Sequence, residues 1–286
     1  MSNFNTDNTM QYPVFVMCGR DLKRRRLLEF LDPEGKYKAK ALLPFLGKRV
    51  IDWQLDALRA SPHIGQIYLL GLSKQDASFD FPVHYVPTDT TADFADKLVA
   101  GLEYLQTEGL DPKMIAVSTS DAPAVSTESI NLFFERLNKL DGYDFVLSLV
   151  PWELTNQVFP DSRRVVARFV DQQVFPGEIY ALSPRAIQLG WEVIHELHAR
   201  RRMINRQRRN IRLTPVINLI AKKPRTWPLI LKFLLKRATL ADGEKAVSIA
   251  FGGKVKAIII PDAGFGMDMD LPEDYARLEK YIAGSV

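Results

Sequence analysis

The sequence predicts an α/β protein built on a largely parallel sheet covered by helices on both faces. Three observations predict it. Short apolar runs alternate with amphipathic segments through the first half of the chain, the rhythm of βαβ units. After Tyr143 three strand-like runs follow one another with no helix of useful length between them, which adds an antiparallel extension to the sheet. The 286 residues, 47% hydrophobic and 25% charged, suit one large domain with a full core.

In order, "PVFVMC" (13–18) reads as the first strand, followed by a basic, irregular stretch. Ile51, Leu55 and Leu58 mark a helix; "QIYLLGL" (66–72) is a buried strand and "PVHYVP" (82–87) a shorter one. Phe94, Leu98, Leu102 and Leu105 mark the next helix, and "MIAVSTS" (114–120) the next strand. Ser126 begins a helix carrying Ile130, Phe133, Phe134, Leu137 and Leu140. "YDFVLSLV", "RVVARFVD" and "GEIYALS" are the later strands. Residues 184–250 read as a helical insertion or lid, interrupted by Pro215, Pro224 and Pro228, within a single domain spanning 1–286. A strand at 255–261 and a final helix with Leu271, Tyr275, Leu278 and Ile282 at helical spacing close the chain.

A single cysteine, Cys18, excludes an internal disulfide and favours a reducing compartment. The first residues are polar, without a signal-peptide core, so a cytoplasmic protein is expected. The most lipid-like run, "WPLILKFLLK", is about half the length of a membrane span. It reads as a buried helix, with placement on a membrane surface as the other reading. The net charge of +4 is modest, but Arg200, Arg201, Arg202, Arg206, Arg208, Arg209 and Arg212 crowd one stretch. That run fits an anionic partner, nucleic acid or membrane surface, or simply a solvated helix face.

The chemistry gathers at strand ends. Asp121 in "VSTSDAP" follows a buried strand, and ligands of parallel sheets bind at the carboxyl ends of strands. Asp268 and Asp270 alternate with Met267 and Met269, so both carboxylates share one face of an extended segment. Asp270 with Glu273 fits a capping box and Pro272 a first helical turn, which leaves Asp268 without a structural reason. With Asp121 the pair makes a hard-metal site suited to Mg²⁺ on nucleotide phosphates. Lys40, in "KAKALLPFLGKRV", is a point cation for phosphate. The loop "CGRDLKRRR" offers Gly19 for close backbone approach and Arg20, Lys23 and Arg24 as anion partners. His195 and His198 lack a third ligand and the zincin pattern, and Cys18 reads as a small core residue.

Taken together, "VFVMCGRDLKRR", "KAKALLPFLGKRVIDWQLDALRASPHIGQIYLLG", "AVSTSDAPAVSTESI" and "GMDMDLPEDYARLEKY" resemble the four motifs of the MobA-like NTP transferases. "RRVVARFVDQQVFPGEIYALSPRAI" resembles the middle strands that close over the acceptor. The resemblance implies a three-layer α/β/α, Rossmann-like mixed sheet of the nucleotide-diphospho-sugar transferase type. It implies transfer of NMP from an NTP to a phosphorylated small-molecule acceptor, with release of pyrophosphate and Mg²⁺ as cofactor. By that resemblance Asp121, Asp268 and Asp270 hold the metal; Cys18, Gly19, Arg20, Lys23 and Lys40 bind nucleotide; Lys40, Asp121 and Arg20 act in catalysis; Arg164 and Gly177 meet the acceptor. The first loop departs from the family's Gly-x-Gly pattern, reading Met17-Cys18-Gly19-Arg20-Asp21. A degenerate nucleotide-binding or interaction protein of the same fold, and a related-fold glycosyltransferase, are therefore kept beside the transferase.

Overall fold

The computed structural model describes residues 10–19, 27–89, 92–162, 164–190 and 220–284. The strands are β1 (Tyr12–Met17), β2 (Pro44–Phe45), β3 (Lys48–Arg49), β4 (Ile64–Leu70), β5 (His84–Val86), β6 (Ile115–Thr119), β7 (Phe145–Pro151), β8 (Ala167–Arg168), β9 (Gln173–Leu182) and β10 (Val255–Ile259). The helices are α1 (Leu27–Leu31), α2 (Val50–Arg59), α3 (Phe94–Thr107), α4 (Thr127–Leu137), α5 (Trp152–Val158), α6 (Trp227–Leu234), α7 (Leu240–Phe251) and α8 (Pro272–Ala283). Residues 184–190 are also helical.

The main sheet runs β10-β7-β9-β6-β1-β4-β5, with β8 paired to β9. β1 is parallel to β4 and β6, β4 to β5, and β10 to β7. Alternation along β1 builds the layers. Val14 and Val16 face Ile51, Leu55 and Leu58 of α2 and Ile130, Phe133 and Phe134 of α4. Phe15 and Met17 face the opposite way, onto Leu98, Leu102 and Leu105 of α3. Period two in the strand and 3.6 in the helices thus yield an α/β/α stack.

Several boundaries differ from the sequence reading. The helix after Ser126 ends at Leu137, with Leu140 in the turn beyond. A seven-residue helix, α5, does intervene after β7. Of the strand expected at 164–171 only Ala167–Arg168 pairs. The expected antiparallel extension is present, continuing the sheet beyond β6. β9 lies inside the sheet, antiparallel to β6 on one side and β7 on the other. Its outer neighbours supply the pairing that an edge strand would lack.

α6 is not a buried helix: it has no fully buried residue. α7 is tied to the sheet by Glu244, which accepts from Ala257 N at 2.9 Å and pairs with Lys256. Of the segment 184–250, residues 191–219 lie outside the described residues, and with them His195, His198 and the Arg200–Arg212 run. Among the described residues, no helix is long and apolar enough to cross a membrane.

Candidate active site

Asp121 stands two residues beyond the end of β6, at the carboxyl ends of the parallel strands. Ser120 Oγ donates to Met17 O at 3.0 Å, which ties this corner to the end of β1. The backbone of Asp121 is stapled in turn: Met269 N donates to Asp121 O at 2.9 Å. That bond brings the C-terminal segment onto the site. Met267 and Met269 are fully buried beside Phe45, Leu27 and Leu278. Burying each side chain contributes about 1.5–3 kcal/mol, enough to fix which face of the segment points inward. The intervening Asp268 and Asp270 are thereby turned the other way. One carboxylate oxygen from each of Asp121, Asp268 and Asp270 lies within 4.8 Å of the others.

Asp270 is not the helix cap. The N-cap of α8 is Leu271, whose N–H is held at 3.0 Å by the Asp274 carboxylate. The acid therefore sits one residue later than the S/T-x-x-E spacing suggested, and Asp270 turns to Lys40.

Lys40 opens a 3-10 turn, Lys40–Leu42, ahead of the β2–β3 hairpin. The approach to it is pinned by Asp32, whose carboxylate accepts from Lys36 N at 2.9 Å and Tyr37 N at 2.7 Å. The hairpin is pinned by the Tyr275 hydroxyl, which donates to Pro44 O at 3.0 Å. So held, Lys40 Nζ reaches Asp121 Oδ2 at 2.7 Å, Asp270 Oδ1 at 2.5 Å and Met269 O at 3.0 Å. Arg164 pairs with the Asp268 carboxylate and donates through Nη2 to Asp268 O at 2.9 Å.

Sequence reasoning missed a further acid. Glu178 lies on β9, where the pairing with β7 shifts between Leu147 and Leu149, so the strand carries extra residues there. Such bulges re-aim side chains. Burial pushes the Glu178 carboxyl up to about 8, Asp268 and Asp121 add to the rise, and Arg164 and the Thr119 hydroxyl oppose it. Burial likewise raises Asp121, with Asp268 and Asp270 adding and Lys40 opposing. For Lys40 burial acts downward, but the carboxylates of Asp121, Asp270 and Asp268 outweigh it and hold the ammonium above its usual range. Four acids, Asp121, Asp268, Asp270 and Glu178, share two cations at this corner, Lys40 and Arg164, so burial and like charge raise Asp121 and Glu178 despite the cations.

The donor set fits Mg²⁺. Three hard carboxylate oxygens converge, and the ammonium now bridging two of them occupies the electrostatic role a divalent ion would take over.

The remaining sequence candidates fall elsewhere or outside. Cys18 is fully buried, its thiol on Val16 O, and burial pushes it up to about 12; its N–H donates to Leu70 O at 2.9 Å. Gly19 is exposed and has open space where a side chain would project. Arg20 and Lys23 lie outside the described residues. Gly177 has a packing reason of its own: a Cβ there would stand 2.5 Å from Ser148 Oγ and 2.9 Å from the Phe265 ring. Lys97, also missed, is buried on α3 and donates to Cys18 O at 2.9 Å. Its spacing from Phe94 and Gly101 puts it on the buried face of that helix, a signal readable in the sequence.

Residues 33–207 match the MobA-like NTP transferase domain, and the chain belongs to that family of nucleotidyltransferases. No curated protein matches the chain significantly. Among solved structures it is similar to a hypothetical transferase from Thermus thermophilus, at 23% identity over 93% of this chain and 100% of that one, with TM-score 0.67. It is also similar to a CMP:2-keto-3-deoxy-manno-octonic acid synthetase complexed with CTP, at 10% identity, 97% and 100% coverage and TM-score 0.57. A nucleotidyl transferase from Methanothermobacter thermautotrophicus gives 14%, 97%, 99% and 0.54. At these identities the likenesses carry the fold.

Proposed function

We propose that the protein is a Mg²⁺-dependent nucleotidyltransferase that moves NMP from an NTP to a phosphorylated small molecule. The observation that carries this reading is the convergence of Asp121, Asp268 and Asp270 with Lys40 at the carboxyl end of the sheet. In the reaction an acceptor phosphate oxygen bonds to the α-phosphorus, the bond from that phosphorus to the bridging oxygen breaks, and pyrophosphate leaves. Such a step needs in-line positioning and charge neutralisation and no covalent nucleophile.

Each residue then has a task. Asp121, Asp268 and Asp270 hold the ion; bound there, it would neutralise phosphate charge and orient the oxygens. Lys40, freed from its carboxylates, turns its ammonium to the NTP phosphates. Arg164 is set for the acceptor phosphate, its guanidinium anchored meanwhile on Asp268. Gly177, Gly19 and the loop carrying Arg20 and Lys23 belong to this reading as acceptor- and nucleotide-side contacts. The CTP carried by one structural neighbour is consistent with an NTP donor.

The test is pyrophosphate release and nucleotide binding with each of the four NTPs, with and without Mg²⁺, across a panel of phosphorylated acceptors. Metal-dependent binding of one NTP and acceptor-dependent pyrophosphate release are expected, both lost in Asp121→Asn. Binding without release on every acceptor would favour the degenerate nucleotide-binding reading suggested by the Met17-Cys18-Gly19 loop.

A further inference from the structure

α6 carries two apolar faces, and among the described residues only one of them packs against partners. Leu229, Ile230 and Phe233 turn inward, the first two onto the small cluster of Ile220, Ala246 and Ala250, and Phe233 onto Phe169 with ring centres 6.0 Å apart. Trp227, Leu231, Leu234 and Leu235 turn outward and are 60%, 57%, 66% and 57% exposed. Their spacing of i, i+4, i+7 and i+8 gathers them into one stripe. Val170, 65% exposed, lies close by, its N–H held by Ala238 O at 2.9 Å. Single exposed leucines are ordinary, but a contiguous stripe with a tryptophan at its end marks an interaction surface.

The charge around the stripe selects the partner. From Ala221 to Leu240 the sequence contains no acidic residue, while Lys222, Lys223, Arg225, Lys232, Lys236 and Arg237 flank the helix, all of them exposed. Lys232 pairs with Asp242 at 2.9 Å, beyond the stripe. An outer face of Trp and Leu bordered by Lys and Arg is the pattern of a helix lying in the plane of a membrane interface. We infer that α6 docks this protein on an anionic lipid surface, with Trp227, Leu231, Leu234 and Leu235 entering the acyl boundary and the cations meeting lipid phosphates. A second copy of the chain is a poorer occupant. Two-fold pairing would set the same basic flank against itself, and like charges across an interface are costly.

The experiment uses the full chain, sedimented with vesicles of phosphatidylglycerol or of phosphatidylcholine at low and high salt. Binding to the anionic vesicles, weakened by salt, is expected, with a blue shift of tryptophan emission that disappears in Trp227→Phe. Leu231→Glu combined with Leu234→Glu changes exposed positions only, so its melting curve should match the parent while vesicle binding falls about tenfold or more. Equal binding by that variant overturns the proposal, as does failure of the parent to bind anionic vesicles at low salt. Light scattering gives the remaining outcome: a dimer dispersed by the same variant would show that a second copy covers the stripe.

Discussion

Lys40 and the three aspartates hold one another in a charge balance that any ligand must rearrange. Replacing Asp270 with Asn removes one of the like charges that raise Asp121, while Lys40 keeps its 2.7 Å bond to Asp121. The expected result is a melting temperature unchanged or slightly raised and pyrophosphate release reduced by about 100-fold, the usual trade between stability and function at a site of gathered charge. Lys40→Met should act the other way. It leaves the carboxylates without their shared cation and costs about 2 kcal/mol, less than a fully buried pair because the lysine side chain is 24% exposed. Added Mg²⁺ should restore part of that loss in a melting experiment, a readout independent of turnover. Cys18 offers a cleaner titration. Its thiol is pushed up to about 12 from 9.0, so the unfolded chain ionises first as pH rises. Stability from this group is therefore full below pH 9.0 and is lost between 9.0 and about 12. In the folded protein an alkylating reagent should leave Cys18 untouched near neutral pH and label it only in denaturant.

At the scale of elements, the turn after β4 is the most constrained junction beside the site. Gly71 has φ +109°, and a Cβ there would stand 2.0 Å from Cys18 O and 2.8 Å from Lys97 Nζ. Gly71→Ala should therefore cost more than about 2 kcal/mol, seen as a drop in the denaturation midpoint, since both backbone strain and a clash with a carbonyl resist it. Neither constraint is visible in "QIYLLGL". What was visible there and elsewhere is periodicity: β1, β4, β6 and the helices that cover them follow directly from patterns of 2 and 3.6, and Asp121 from its place after a strand. The alternation of Met267 to Asp270 told which residues face the core and which face out. Three things were hidden because they depend on partners distant in the chain. β9 could enter the middle of the sheet because its pairing partners, not its own pattern, set its place. Glu178 reads as one acid in a strand until the shifted pairing with β7 aims it. α6 has the apolar content of a buried helix, and composition alone cannot say whether its second face is covered.

For the whole molecule, the site is a closure of the chain on itself. Lys40 precedes α2, Asp121 follows β6, Arg164 precedes β8, Glu178 lies within β9, and Asp268 and Asp270 lie between β10 and α8. These residues span more than two hundred positions of sequence, so no local opening of one loop preserves the set. A ligand that engages them should therefore report on global unfolding. At a free concentration about 100 times its Kd, a nucleotide bound only by the native state contributes about 2.7 kcal/mol, which for a chain this size raises Tm by about 5 °C. We expect such a rise with Mg²⁺ and the cognate NTP together and a smaller one with Mg²⁺ alone. In Asp121→Asn the metal-dependent part should vanish while the melting curve without ligand keeps its steepness, because the substitution leaves the Met269–Asp121 backbone bond in place. A Tm rise that survives in Asp121→Asn would instead put the nucleotide on contacts outside the aspartate cluster, and the charge balance around Lys40 would then have to be explained by folding alone.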